Sequence, residues 1–198
     1  KLISVINRKE EITDETWLIT EQERERIQET LDTQGHFWRI DKYTVGASGG
    51  KPTENHKWND EKHEWEIDSD LIQQNLAKKR AELWETIKAR RLQATRTGVE
   101  VTLPNGQVRH FHTDQVARQE YDGMGLTIVL GTFEPRQWKT IENDWVQFDL
   151  ETFKALAQAI KGKVDHDYRN AEVLKAQIDK SDTPENIHLN QGWSQSYV

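Results

Sequence analysis

The sequence predicts an α+β fold, with a small β-rich N-terminal domain followed by two long helices that bracket two short β-hairpins. Three observations predict it. Apolar residues recur at helical spacing over two long stretches, beginning near Ile72 and near Phe153. Between them, Val99–Leu103 and Gln107–Phe111 flank Pro104-Asn105-Gly106, a strong hairpin signal because Asn-Gly supplies the positive φ angles of a tight turn. Before residue 68 the apolar runs are short and separated by Gly, Asn and Asp, as in small β structures.

Taken in order, Leu2–Ile6 reads as a short strand. Thr20 with Glu23 is a capping-box pair that opens a polar helix to about Thr33, closed by Gln34-Gly35. Phe37–Val45 alternates as one strand, and the Gly-rich stretch from 46 to 55 reads as an exposed loop. Trp58 and Trp65 flank Asn59-Asp60-Glu61-Lys62 as a short hairpin. Asp68-Ser69-Asp70 caps the first long helix, where Ile72, Leu76, Leu83, Ile87 and Ala94 form a stripe on one face, and Gly98 ends it. Thr113 is expected to cap a helix through Val116, Ala117, Tyr121 and Met124. Trp138–Ile141 and Trp145–Phe148 form a second hairpin. Asp149 caps the last helix, which keeps helical spacing almost to Ser181. In the tail, Trp193 is the only large anchor expected. The predicted domains are residues 1–68 and 69–198. The predicted core of the second is Leu83, Trp84, Ile87, Phe111, Val116, Trp138, Phe153, Leu156, Ile160 and Val164.

The chain has 198 residues, 34% of them hydrophobic and 31% charged, and its mean hydropathy is −0.91. Ordinary domains are about 45–50% apolar with Gly counted. So polar a chain implies small cores, an extended shape, or a surface finished by a partner. Eight Trp, five Phe and four Tyr supply large anchors for those cores. The net charge of −7 disfavours general nucleic-acid binding, which needs clustered Lys and Arg. The basic cluster Lys78-Lys79-Arg80 with Arg90-Arg91 is interrupted by Glu82 and Glu85 and reads as a solvated helix face. There is no Cys, so neither disulfide nor thiolate chemistry is available. No apolar run approaches the about 20 residues of a membrane span, and no signal-peptide pattern opens the given sequence. The chain begins at Lys1 rather than Met, which leaves open a segment before it.

Chemistry-bearing motifs are few. His110, His112 and Asp114 are the most enzyme-like set, since two imidazoles on one strand face and a carboxylate just beyond would suit a zinc ion and a metal-dependent hydrolase. The competing reading puts Phe111 in the core and both His in solvent, and it is preferred, so no metal and no cofactor are expected. Asp165-His166-Asp167 lies within a predicted helix, where neighbours point about 100° apart, and makes no triad by itself. Gly46-x-x-Gly49-Gly50 lacks the Lys-Ser/Thr of a phosphate loop. Trp38, Trp58 and Trp65 form either the core of a small β domain or a set of exposed rings for glycan or protein. The partner-binding candidates are Trp58, Trp65 and Trp193, where local structure offers a Trp least cover.

The C-terminal part carries four features in order. They are Trp84 within Leu-Trp-Glu-Thr-Ile-Lys, the hairpin ending Phe111-x-Thr113-Asp114, Trp138-Lys139-Thr140, and a helix opening Phe153-Lys154-Ala155-Leu156-Ala157. This set resembles the family called domain of unknown function four-three-seven-six, of tailed-phage and prophage tail proteins, from about Ala77 to Trp193. His110 and His112 are not features of that family. The Trp58-Asn59-Asp60 and Trp65 segment followed by a charged helix is loosely similar to phage tail-fibre assembly chaperones. These resemblances imply a non-enzymatic tail protein, either a tail-fibre assembly factor or a small fibre-associated structural component. It would act by protein–protein contacts with a tail or fibre protein, with self-association left open and without nucleic acid or membrane. Its place would be the virion tail, or the host cytoplasm during assembly. They transfer no catalytic residue. A carbohydrate- or receptor-binding module using exposed Trp is the alternative from another class.

Overall fold

The structure, a computed structural model, describes residues 2–4, 17–41 and 44–197, with side chains described from Thr20 onward. It divides into two compact units, Lys1–Ala77 and Lys78–Val198, and the division falls inside the first long helix. The α+β class is as the sequence predicts: among the described residues, two long helices bracket two hairpins in the second unit, and short strand pairs dominate the first.

In the first unit, β1 (Leu2–Ser4) pairs in parallel with β2 (Trp17–Ile19). The rest of the strand expected to run to Ile6 lies outside the described residues. Helix α1 (Glu21–Asp32) opens with the predicted capping box. Thr20 Oγ1 accepts from the Glu23 N–H at 3.2 Å, and the Glu23 carboxylate accepts from the Thr20 N–H at 2.8 Å. The stretch 37–45 is not one strand. Strand β3 (Phe37–Arg39) is followed by a reversal, closed by the Ile40 N–H on the Thr44 carbonyl at 3.0 Å, and Val45–Ala47 returns as antiparallel β4. Apolar residues on both sides of the turn had imitated a continuous alternation, and Ile40 is in fact 61% exposed. Strands β5 (His56–Asn59) and β6 (Glu64–Ile67) form the predicted hairpin, with Trp58 directly opposite Trp65. A small core joins Ile27 of α1 and Val45 of β4, with Phe37 packed against them. Helix α2 (Ser69–Ala94) starts on Asp68, whose Oδ1 accepts from the N–H groups of Asp70 and Leu71.

In the second unit, strands β7 (Val99–Thr102) and β8 (Val108–Phe111) form the Asn-Gly hairpin, with Val99 opposite Phe111. Helix α3 spans Gln115–Val129, strands β9 (Arg136–Lys139) and β10 (Trp145–Phe148) pair antiparallel, and α4 runs over Leu150–Lys180. Asp149 caps α4 by accepting from the Thr152 N–H at 2.8 Å. At 1.5 Å per residue, α4 is roughly 46 Å long, and it serves two cores. Its N-terminal half meets Val99 and Val101 of β7, Phe111 of β8, Tyr121 and Met124 of α3, and Val146 and Phe148 of β10 around Leu156. Its C-terminal half sets Ala171, Leu174 and Ile178 against Ile87 of α2, with Leu83, Trp84 and Trp193 packed on them.

Ile87, Phe111 and Leu156 are buried as predicted, and Leu83, Trp84, Trp138, Phe153, Ile160 and Val164 are half-buried. Val116 is not core: it is 69% exposed. Helix α3 buries Ala117, Tyr121 and Met124 at spacings of four and three, and Val116 stands about 100° off that line. The cap of α3 is Asp114, not Thr113. The Asp114 carboxylate accepts from the N–H groups of Val116 and Ala117, and its negative charge suits a helix N-terminus. Thr113 is fully buried. It donates to the Thr95 carbonyl at 3.1 Å and accepts from the Gly98 N–H at 2.9 Å, joining the end of α2 to the end of β8.

Candidate functional site

The two hairpins β3–β4 and β5–β6 bring five aromatic rings of the first unit together. His36 stacks on Trp58 with centroids 4.9 Å apart, Trp38 lies 5.4 Å from Trp58, and His63 stacks on Trp38 at 4.4 Å. Trp65 meets Trp58 and His36 edge-on. Trp38 also lies against the bare backbone of Gly46, where any Cβ would overlap the indole. Trp38, Trp58 and Trp65 are half-buried, with ring faces and edges engaged by their neighbours, while the His rings are more exposed. The sequence singled out these Trp residues but gave no sign that His36 and His63 stack on them.

The enzyme-like residues do not converge. His110 Nδ1 is 2.6 Å from Glu142 Oε1, and its Nε2 lies 3.4 Å from Glu100 Oε2 without hydrogen-bond alignment. His112 is exposed, and Asp114 is spent on the α3 cap. No group of three or more His, Cys, Asp or Glu among the described residues could hold a metal ion. Burial alone would raise the Glu142 pKa. Hydrogen bonds from its own backbone N–H and from the His110 ring and N–H outweigh that and pull it down to about 2.

The tail holds far more than one anchor. The Trp193 indole packs on the Ile87–Leu174–Ile178 core and donates to the Leu189 carbonyl at 2.8 Å, so its expected lack of cover is overturned. The Asp167 carboxylate, 0% exposed, accepts from the Ser194 N–H at 2.9 Å and hydroxyl at 2.8 Å. Lys163, one turn earlier on α4, donates to the Gln195 carbonyl at 2.5 Å. Burial lowers the pKa of its ammonium group, with Arg118 adding to the effect and Asp167 opposing it. The Tyr197 N–H bonds to the Thr97 carbonyl, and its ring stacks on His110 at 4.1 Å. His166 Nδ1 lies 3.3 Å from Asp167 as well. In a nucleophilic triad the imidazole stands between serine and carboxylate. Here Asp167 stands between the other two, and the arrangement is a latch for the tail.

Among the described residues of the second unit, several large apolar side chains stand in solvent. On the C-terminal half of α3, Leu126 is 59% exposed, Val129 83% and Leu130 65%. A different face of α3 lines a cleft of about 530 Å³, with Gly123, Met124, Thr127, Phe133, Glu134 and Arg136 around it and none of these three side chains among them. On the outer face of β10, Trp145 is 66% exposed, beside a smaller cleft of about 260 Å³. The sequence had already placed Trp145 on a short strand ending in Phe148. Alternation from a buried Phe148 puts Trp145 outside, and this signal was not drawn out.

The sequence profile of a domain of unknown function, DUF4376, matches residues 78–190, more than half of the chain. The chain belongs to the DUF4376 family. No curated protein and no solved structure matches the chain significantly. The DUF4376 match takes in both cores of the second unit, the α3 surface, Trp145 and the Asp167 side of the latch. The aromatic cluster at residues 36–65 lies before the matched DUF4376 residues, and Trp193 lies just beyond them.

Proposed function

We propose that this DUF4376 protein is a non-enzymatic component of a phage or prophage tail, acting as an assembly factor or small fibre-associated protein. It docks a tail or fibre polypeptide on α3, in the virion or in the host cytoplasm during assembly. The observation that supports docking is the exposed stripe Leu126, Val129 and Leu130. In a chain only 34% hydrophobic, three large aliphatic side chains in solvent on one helix end are a cost that a partner would remove. Burying each contributes about 1.5–3 kcal/mol. Association itself costs an estimated 4–15 kcal/mol, so further surface, such as the cleft that Met124 and Phe133 line on a neighbouring face of α3, has to take part. The phage-tail part of the proposal rests on the ordered Trp84, Phe111-x-Thr113-Asp114, Trp138 and Phe153 resemblance.

The test is co-expression with a phage tail-fibre polypeptide, followed by affinity capture. A Leu126→Glu, Val129→Glu variant should lose at least ~1.4 kcal/mol of binding, about tenfold. Its melting temperature should stay close to the parent's, since neither side chain is in the core. Undiminished capture by the variant would remove α3 as the docking surface.

A further inference from the structure

The cleft beside Trp145 has the chemistry of a ligand site, and none of the α3 docking residues belongs to it. Trp145 is the first residue of β10 and turns outward while Val146 and Phe148 turn into the core. The cleft continues over Pro104 and Asn105 of the β7–β8 turn, past Gln107 and Gln147, to Asp149 at the start of α4. Its polar groups are already oriented by internal hydrogen bonds. Asn105 Oδ1 accepts from the Gln107 N–H at 3.0 Å, Gln147 Oε1 accepts from Gln137 Nε2 at 2.8 Å, and one Asp149 oxygen accepts from the Thr152 N–H. A carboxamide has two donors and an acceptor with two lone pairs, so each keeps capacity for a ligand. Groups held in place before binding lose less entropy when the ligand arrives.

An indole plane flanked by carboxamides and a carboxylate suits a ligand with one C–H face and a rim of hydroxyls. That is the build of a pyranose ring: its axial C–H bonds lie on the indole, and its equatorial hydroxyls reach sideways to amides. No Lys or Arg lines the cleft, and its one charged residue is Asp149. An anionic ligand is therefore disfavoured, because an acidic, sulfated or phosphorylated sugar would meet the Asp149 carboxylate with no cation among the lining residues to offset it. At about 260 Å³, the cleft falls below the roughly 300–1,000 Å³ of drug-sized sites, which fits one sugar ring, or the end of a glycan chain. We propose that the Trp145 cleft binds a neutral pyranoside, stacked on the indole and hydrogen-bonded by Asn105, Gln107 and Gln147.

The full chain is titrated with the methyl pyranosides of glucose, galactose, mannose and N-acetylglucosamine, to roughly fiftyfold above a ~1 mM Kd. The readout is the Trp145 indole N–H resonance, assigned by its loss in Trp145→Ala. At least one glycoside should give a saturable shift. Trp145→Ala should weaken binding of that glycoside, followed by saturation transfer, at least tenfold with an unchanged melting temperature, and Trp145→Phe should recover part of it. N-acetylneuraminic acid should not compete. Absence of a saturable shift with every neutral glycoside overturns the proposal, as does binding that survives Trp145→Ala. Equal binding of the acidic sugar overturns the neutral class. Loss of fibre capture in Trp145→Ala, with no glycoside effect, assigns the indole to a protein partner and also overturns the saccharide site.

Discussion

Replacing Asp167 with Ala should cost far more than one helix residue ordinarily contributes, and only while the tail is present. The carboxylate is 0% exposed and holds the Ser194 N–H and hydroxyl at 2.9 and 2.8 Å. Hydrogen bonds to a charged group contribute about 1.5–3 kcal/mol each. Their loss also takes an opposing charge away from buried Lys163, and removing one member of a buried charged set costs about 3–5 kcal/mol. The expected destabilisation of the full chain is therefore about 3–5 kcal/mol. In a chain ended after Gly192, Ser194 and Gln195 are gone and Lys163 faces water. There the same substitution should cost less than ~1 kcal/mol, as for an exposed pair. The difference is a coupling of about 2–4 kcal/mol, in the upper part of the usual 0.5–3 for residues in contact or beyond it. Urea unfolding followed by far-ultraviolet circular dichroism, which reports mainly α2, α3 and α4, measures all four corners of the cycle. Equal costs with and without the tail would refute the latch.

Two further perturbations test the contacts around it. Glu142 has its folded pKa lowered from 4.5 to about 2, so its contribution to stability is fully present above pH ~4.5 and is lost as pH falls toward ~2. Thermal melts between pH 6 and pH 2 should therefore converge for the parent and Glu142→Gln at the acid end, with the parent higher at pH 6; a constant gap would contradict the His110–Glu142 contact. Gly98 has φ +75, and a Cβ there would come within 2.4 Å of the Tyr197 carbonyl. Gly98→Ala should therefore release the tail end, seen as faster amide exchange at Tyr197, while unchanged exchange would show that the tail is held elsewhere.

Local rules carried the sequence reading where one residue decides the outcome. The Thr20–Glu23 box, Asp68, Asp149 and the Asn105-Gly106 turn each satisfy backbone groups within a few positions, so their neighbours in sequence are enough to predict them. The reading failed where two equivalent signals stood side by side. Thr113 and Asp114 both make good caps, and only the Thr95 carbonyl, 18 positions back, draws Thr113 inward. The β3–β4 reversal failed for a similar reason, since apolar residues on both sides of a polar turn kept the alternation intact. Long-range pairing was not legible at all. Nothing near Ser194 or Tyr197 announces that Asp167 and His110 are waiting for them. For the candidate sites, the Trp58–Trp65 pair was legible from its turn, but the two His rings stacked beside it were not. The outward face of Trp145 was implied by strand period, while the cleft beside it depends on a turn some 40 residues earlier.

Docking on α3 is tested most directly by hydrogen–deuterium exchange on the complex captured with the fibre polypeptide, compared with the free chain. The account predicts protection concentrated in residues 116–136, covering α3 and the loop that closes its cleft, with little change over 150–180. Protection confined to 56–67 or 193–197, with 116–136 exchanging as in the free chain, would contradict it.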